Sequence, residues 1–227
     1  MRSHKIILSM FFSLLGCAFV SAQVNGFKTD EFVYWQPNVQ IEFADFAQQP
    51  DSEMMDRFKK LWISSWSTVQ IQVVMDEPQR IRGGHIKSEK VYIAPVFCVK
   101  RSCQIGEMDR AIEYAKIQMD IAEWCARQTR KRIKDLHKIK TARGLVKDSL
   151  PAMVDEMYES MNKLLGAFSN QVMVKKQEGA FEQWRLRCDQ LLKETKQHAT
   201  TEEECNRFIN DAPYSEDYKE SYKILEK

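Results

Sequence analysis

The spacing of apolar residues changes period once along this chain, near Gly106, and the change divides it into a β-rich first half and a helical second half. Val33–Trp35 and Val39–Phe43 read as short strands on either side of Pro37. Over 51–62, Met54, Met55, Phe58 and Leu61 recur on one side of a predicted helix. Residues 66–73, Trp-Ser-Thr-Val-Gln-Ile-Gln-Val, alternate apolar with polar, the signature of a half-buried strand. A second β-rich run, Lys90–Val99, follows Gly83-Gly84. The two runs are expected to pair antiparallel through a connection broken at Pro78 and the glycines. Beyond Gly106, Met108, Ile112, Ala115, Met119, Ala122, Ala126, Ile133 and Leu136 recur at three- and four-residue steps and predict a long amphipathic helix. A second helix is expected to carry Pro151 in its first turn and to bury Met153, Met157, Met161, Leu164, Leu165 and Phe168. A third covers 176–196, with Phe181, Trp184, Cys188, Leu191 and Leu192 at helical spacing. Thr201-x-x-Glu204 matches a capping box opening a last short helix. Residues 213–227 read as a polar, loosely held tail.

The first 22 residues form a separate pattern. Arg2 and Lys5 precede an apolar stretch, Ile6–Val20, which ends in the small residues Ser21 and Ala22. This is the three-part arrangement of a secretory signal, with cleavage expected after Ala22. Leu14-Leu15-Gly16-Cys17 also resembles a lipobox that would leave Cys17 lipidated, but the apolar core continues past it to the conventional site. A secreted or periplasmic protein is therefore expected, with one domain over 23–212. No later stretch reaches membrane-spanning length.

Charge adds little after that. The chain holds 34 basic and 32 acidic residues; loss of Arg2 and Lys5 with the signal leaves 32 against 32. A neutral mature chain argues against a nucleic-acid partner. Basic residues do gather at the end of the long helix, from Arg127 to Lys140; an anionic partner is one reading of them, and a solvated cationic end favoured by the helix dipole is the expected one. Five cysteines follow the signal. In an oxidising compartment, Cys188 with Cys205 on consecutive helices is the first candidate disulfide, and Cys98 with Cys103 around a turn the weaker one. No Cys-x-x-Cys pair is present.

The residues that could carry chemistry are scattered. His85, His137 and His198 lie far apart and none has a partner at metal-ligand spacing. There is no Gly-x-Ser-x-Gly elbow and no phosphate-binding glycine loop. Cys125 sits on an apolar helix face, where a packed thiol is the expectation. Asp120 and Glu123 are a carboxylate pair of the kind common on helix surfaces.

The long helix nonetheless resembles a known pattern. Gln118-Met119-Asp120-Ile121-Ala122-Glu123-Trp124-Cys125-Ala126-Arg127 is similar to the signature helix of a bacterial secreted family, domain of unknown function 922, described as zinc-dependent proteases. In that helix His-Glu-x-x-His runs into Phe-Asp-Ile-x-Glu, with Ala-Arg shortly after. Ile41-Glu42-Phe43-Ala44-Asp45-Phe46 with Pro50, the strand ending before Arg101-Ser102-Cys103, and Gln183-Trp184 resemble further pieces of the family in the same order. The resemblance implies a zincin-like α+β fold. It does not carry the chemistry with it. Where the family has two zinc-binding histidines one turn apart and a glutamate base, this chain has Tyr114, Gln118 and Ala115. A further family histidine has no counterpart around 172–175. The implied protein is a degenerate, non-catalytic relative with no cofactor. It would act as a binding or envelope-associated module whose vestigial cleft holds Tyr114, Ala115, Gln118, Asp120 and Glu123. A peptide, a glycan or another envelope protein would be its partner. The alternative is a hydrolase with relocated residues, which needs His85, His137 or His198 to meet Glu113, Asp120 or Glu123 in a pocket.

Overall fold

A computed structural model describes residues 25–61, 63, 65–79, 88–105, 110–139 and 144–225. The expected signal peptide with Cys17 and Ala22, the Gly83-Gly84 pair and His85 lie outside these residues. Among them, a mixed antiparallel sheet-and-helix architecture is built from six strands and five α-helices. The strands are β1 (Phe32–Tyr34), β2 (Ser65–Trp66), β3 (Val69–Pro78), β4 (Lys90–Cys98), β5 (Cys103–Gln104) and β6 (Tyr218–Ile224). The helices are α1 (Ser52–Leu61), α2 (Ala111–His137), α3 (Leu145–Ser169), α4 (Ala180–Glu194) and α5 (Glu202–Ile209).

The main sheet has the order β1-β4-β3-β6, every pair antiparallel, and β2 with β5 forms a separate two-stranded ladder. In β3 the side chains alternate between two faces. Ile71, Val73 and Met75 join Ile93 of β4 under α2 and α3, packed on Ala122, Cys125, Ala126, Met153 and Met157. The polar positions of the alternation are buried as well. Gln70, Gln72 and Asp76 are no more than 4 % exposed, because α5 covers the second face with Cys205 and Phe208, against Tyr34, Val74, Tyr92 and Val96. The half-buried strand expected over 66–73 starts only at Val69 and is buried on both faces over 70–76, where the polar side chains find partners: Gln72 accepts from the Tyr34 hydroxyl, Gln70 from Arg101 and Asp76 from Arg207. Helix α4 lies on the outer side of α2, where Ile117 and Ile121 meet Phe168, Ala180, Trp184 and Cys188.

Four expectations are corrected. The tail over 213–227 is not loose: β6 pairs with β3 from Val73–Ile224 to Pro78–Tyr218. Its polarity is that of an edge strand, with Lys219, Glu220 and Lys223 interleaved among Tyr218, Tyr222 and Ile224. The segment 39–43 does not extend as a strand. Asp45 accepts from the backbone N–H of Glu42 at 2.7 Å and pairs with Lys28 at 3.0 Å, which coils Phe43–Asp45 into a 3-10 turn. Pro151 lies not in a first turn but inside α3, which starts earlier behind Gly144 at φ 76. Proline there leaves the helix without its bond to the Lys147 carbonyl. The third helix begins at Ala180 rather than 176, behind Gly179 at φ 70. The capping box forms as expected: Thr201 accepts from the Glu204 N–H and Glu204 accepts from the Thr201 N–H.

The candidate disulfides are also corrected. Cys98, Cys103, Cys125, Cys188 and Cys205 are all buried and none is joined to another by a disulfide. Cys188 points into the α2–α4 cluster and Cys205 into the opposite sheet face, so consecutive helices carry their thiols to different cores. Cys98 faces α5 from β4, whereas Cys103 is turned away into the β2–β5 ladder, beside the Met54 sulfur at 3.1 Å. Among the described residues, no helix is long and apolar enough to cross a membrane.

Candidate functional site

The residues singled out on α2 separate into three environments, as helical spacing requires. Ala115 is fully buried among Val33, Phe97 and Met119. Gln118, on the next turn, accepts a hydrogen bond from the Ser67 hydroxyl in the β2–β3 connection. Tyr114 turns the other way, towards α4. Its ring packs edge-on against Phe181 at 5.3 Å and tilted against Phe168 at 5.9 Å, and burial raises its phenol above the ordinary value.

Asp120 and Glu123 are not surface carboxylates. Asp120 accepts from the Trp35 indole at 2.8 Å and pairs with Arg185 of α4 at 2.7 Å. Glu123 has no exposed surface. It binds Arg127 at 2.7 Å and accepts from the Thr200 backbone N–H at 2.9 Å and the Thr200 hydroxyl. Arg130 extends this network to Glu204 at 2.8 Å and to the carbonyls of Ile93 and His198. The start of the basic run is therefore neither a solvated helix end nor an anionic-partner surface. Arg127 and Arg130 tie α2 to the sheet and to the segment before α5, leaving Lys131, Arg132, Lys134 and Lys138 as the exposed part. Charges buried in this way are held by hydrogen bonds that replace water.

The two described histidines do not join them. His137 is exposed at the end of α2. His198 is half-buried, and its imidazole pKa is lowered by burial and by Lys134 and Lys131. Only its carbonyl reaches the Glu123–Arg130 network. Glu113 is exposed. Among the described residues, no group of three or more His, Cys, Asp or Glu could hold a metal ion.

Tyr114 does open on a cleft. A cavity of about 350 Å³ lies between the first turns of α2 and α4 and the end of α3, lined by Ile63, Arg110, Tyr114, Val172, Met173, Lys176, Gln177, Gly179, Phe181 and Glu182. That volume is at the lower end of the range of small-ligand pockets. Tyr114 and Phe181 supply aromatic walls and Val172 and Met173 an apolar floor. The rim is charged: the Arg110 guanidinium lies 4.8 Å from the Phe181 ring centroid and pairs with Glu182 at 3.1 Å.

The far wall is irregular. After Ser169 the helix widens into a π-turn over Asn170–Val174, a departure from α geometry found frequently at functional sites. It closes with the Gln177 N–H on the Gln171 carbonyl at 3.0 Å, around Lys176 at φ 46. This closure spans seven residues, one more than a Schellman ending, and like it passes through a left-handed position that usually holds glycine. A lysine there costs on the order of 1–3 kcal/mol of backbone strain. Trp184 braces the turn by donating to the Gln171 side chain at 2.7 Å.

The structure thus brings together two places that the sequence marked separately, Tyr114 and the 172–175 segment. It sends Ala115, Asp120 and Glu123 into the core and Gln118 to a loop. Arg110, Lys176 and Glu182 were missed. Gly179 was the available signal for part of this: a glycine inside a predicted helix is a candidate break, and breaking there leaves Lys176 in a loop. The π-turn left no signal that periodicity would detect. Comparison with protein-family models, curated proteins and solved structures returns no match.

Proposed function

We propose that this is an exported, non-catalytic binding protein that takes a peptide in the cleft walled by Tyr114, on a degenerate zincin-like scaffold. One observation carries the reading. Of the three positions at which the resembled family would place histidines, Tyr114 on α2 and the segment 172–175 border a single cleft and here hold an aromatic ring and apolar side chains, while Gln118 lies outside it against Ser67. Among the described residues no group could hold a metal ion and the cleft's carboxylate, Glu182, is paired with Arg110, which supports packing and hydrogen bonding as what the cleft offers. Tyr114 and Phe181 suit an apolar side chain, and the polar rim suits a peptide main chain.

The carboxylates that a relocated hydrolase would need support the same reading. Asp120 and Glu123 are committed to Arg185, Arg127 and Thr200, away from the cleft. The test is equilibrium binding of short fluorescent peptides, with zinc measured in the same preparation. Tyr114→Ala is expected to weaken binding about tenfold, equivalent to roughly 1.4 kcal/mol, at unchanged far-UV circular dichroism. Stoichiometric zinc together with chelator-sensitive peptide cleavage would overturn the proposal.

A further inference from the structure

The charge on the rim of this cleft has a sign, and it narrows the ligand. Two cations, Arg110 and Lys176, face one anion, Glu182. Glu182 is engaged by Arg110, whose guanidinium also covers the Phe181 ring, and Lys176 makes no ion pair among the described residues. The lysine stands at the left-handed position of a helix ending, where glycine would fit without strain. Lys176 is exposed and lines the same cavity as Tyr114, Met173 and Phe181. The described lining residues thus give an aromatic and thioether surface with one positive charge more than negative, which complements a ligand that is apolar at one end and singly anionic beside it.

We infer that the cleft recognises the C-terminal residue of a peptide, with an apolar side chain between Tyr114 and Phe181 and the free α-carboxylate on Lys176 and Arg110. This rests on the binding reading above and adds a ligand class to it. Arg110 can reach a carboxylate only by sharing or leaving Glu182, so Glu182 competes with the ligand for the guanidinium. A free terminal carboxylate is also what separates this ligand from an internal segment of a folded partner.

The experiment compares one fluorescein-labelled peptide ending in leucine, as the free acid and as its C-terminal amide, binding to the purified protein by fluorescence anisotropy. The acid is expected to bind about tenfold more tightly, with an advantage that shrinks as salt is raised. Lys176→Gln combined with Arg110→Gln is expected to cut that advantage below about twofold, and Glu182→Gln to widen it about threefold. Lys176→Gly removes the amine while relieving the backbone, so its loss of acid preference cannot be assigned to misfolding. Equal binding of acid and amide, both sensitive to Tyr114→Ala, would sink the carboxylate inference and leave the peptide cleft standing. Binding of neither peptide would remove both. An acid preference that survives the double substitution would place the carboxylate elsewhere and overturn the assignment.

Discussion

Arg207 is the side chain on which one face of the sheet turns. Its guanidinium is fully buried, holds Asp76 with two hydrogen bonds at 2.8 and 2.9 Å, and reaches Glu220 of β6 at 2.9 Å. One residue of α5 therefore joins the central strand to the edge strand. Removing one partner of such a pair leaves a carboxylate in the core without compensation. Arg207→Ala should lower unfolding free energy by about 3–5 kcal/mol, read from urea denaturation; a loss below about 1 kcal/mol would show the pair to be water-accessible.

The thiols give a second expectation at this scale. Burial pushes Cys125, Cys188 and Cys205 from 9.0 up to about 12. With the folded value raised, the unfolded chain releases these protons first. The stability they allow is complete below pH 9 and is lost as pH rises towards 12. Urea midpoints should fall between pH 8.5 and 10.5, and iodoacetamide at pH 8 should leave these three thiols unmodified until the protein is denatured. Rapid alkylation of the native protein would contradict their burial.

At the scale of elements, β6 shows why polarity misleads at a sheet edge. An outer strand is charged on its solvent side for the same reason a loop is, and the residues that anchor it, Tyr222 and Ile224, are too few to form a pattern on their own. They pack on the core under α3, and the Ser221 hydroxyl donates to the Met75 carbonyl where the register shifts. Cutting the chain after Ala212 should uncover the β3 edge. Two half-buried apolar side chains are worth roughly 2–3 kcal/mol together, a fall in melting temperature of about 5–10 °C, with light scattering that grows with concentration. An unchanged melting temperature would mean that β6 is dispensable. The long helix was the opposite case. Three- and four-residue steps repeated over α2 leave only one way to bury the stripe, and it forms from Ala111 to His137. Thr201 and Glu204 were equally readable, because a capping box is closed by residues three apart.

For the whole molecule, the candidate site was half legible. Tyr114 and the segment near 172 could be marked from the chain, but a marking says nothing about depth. Asp120 and Glu123 resemble surface acids in sequence and lie in the core, since Arg185, Trp35 and Thr200 arrive from distant segments. The cysteines failed for the same reason: neighbouring helices α4 and α5 deliver Cys188 and Cys205 to opposite layers. The buried carboxylates Asp76, Asp120 and Glu123 are held by arginines. Chelator treatment should leave the melting temperature within about 1 °C, whereas a structural zinc would lower it sharply. By itself the sequence determined what depends on local period: the antiparallel pair β3–β4, the long helix, the capping box and the division into β-rich and helical halves. Only the tertiary structure decided which polar residues are buried, that the C-terminal strand completes the sheet, and that Arg110, Tyr114 and Lys176 face one cleft. Those outcomes are set by residues far apart in the chain, and no short-range spacing encodes them.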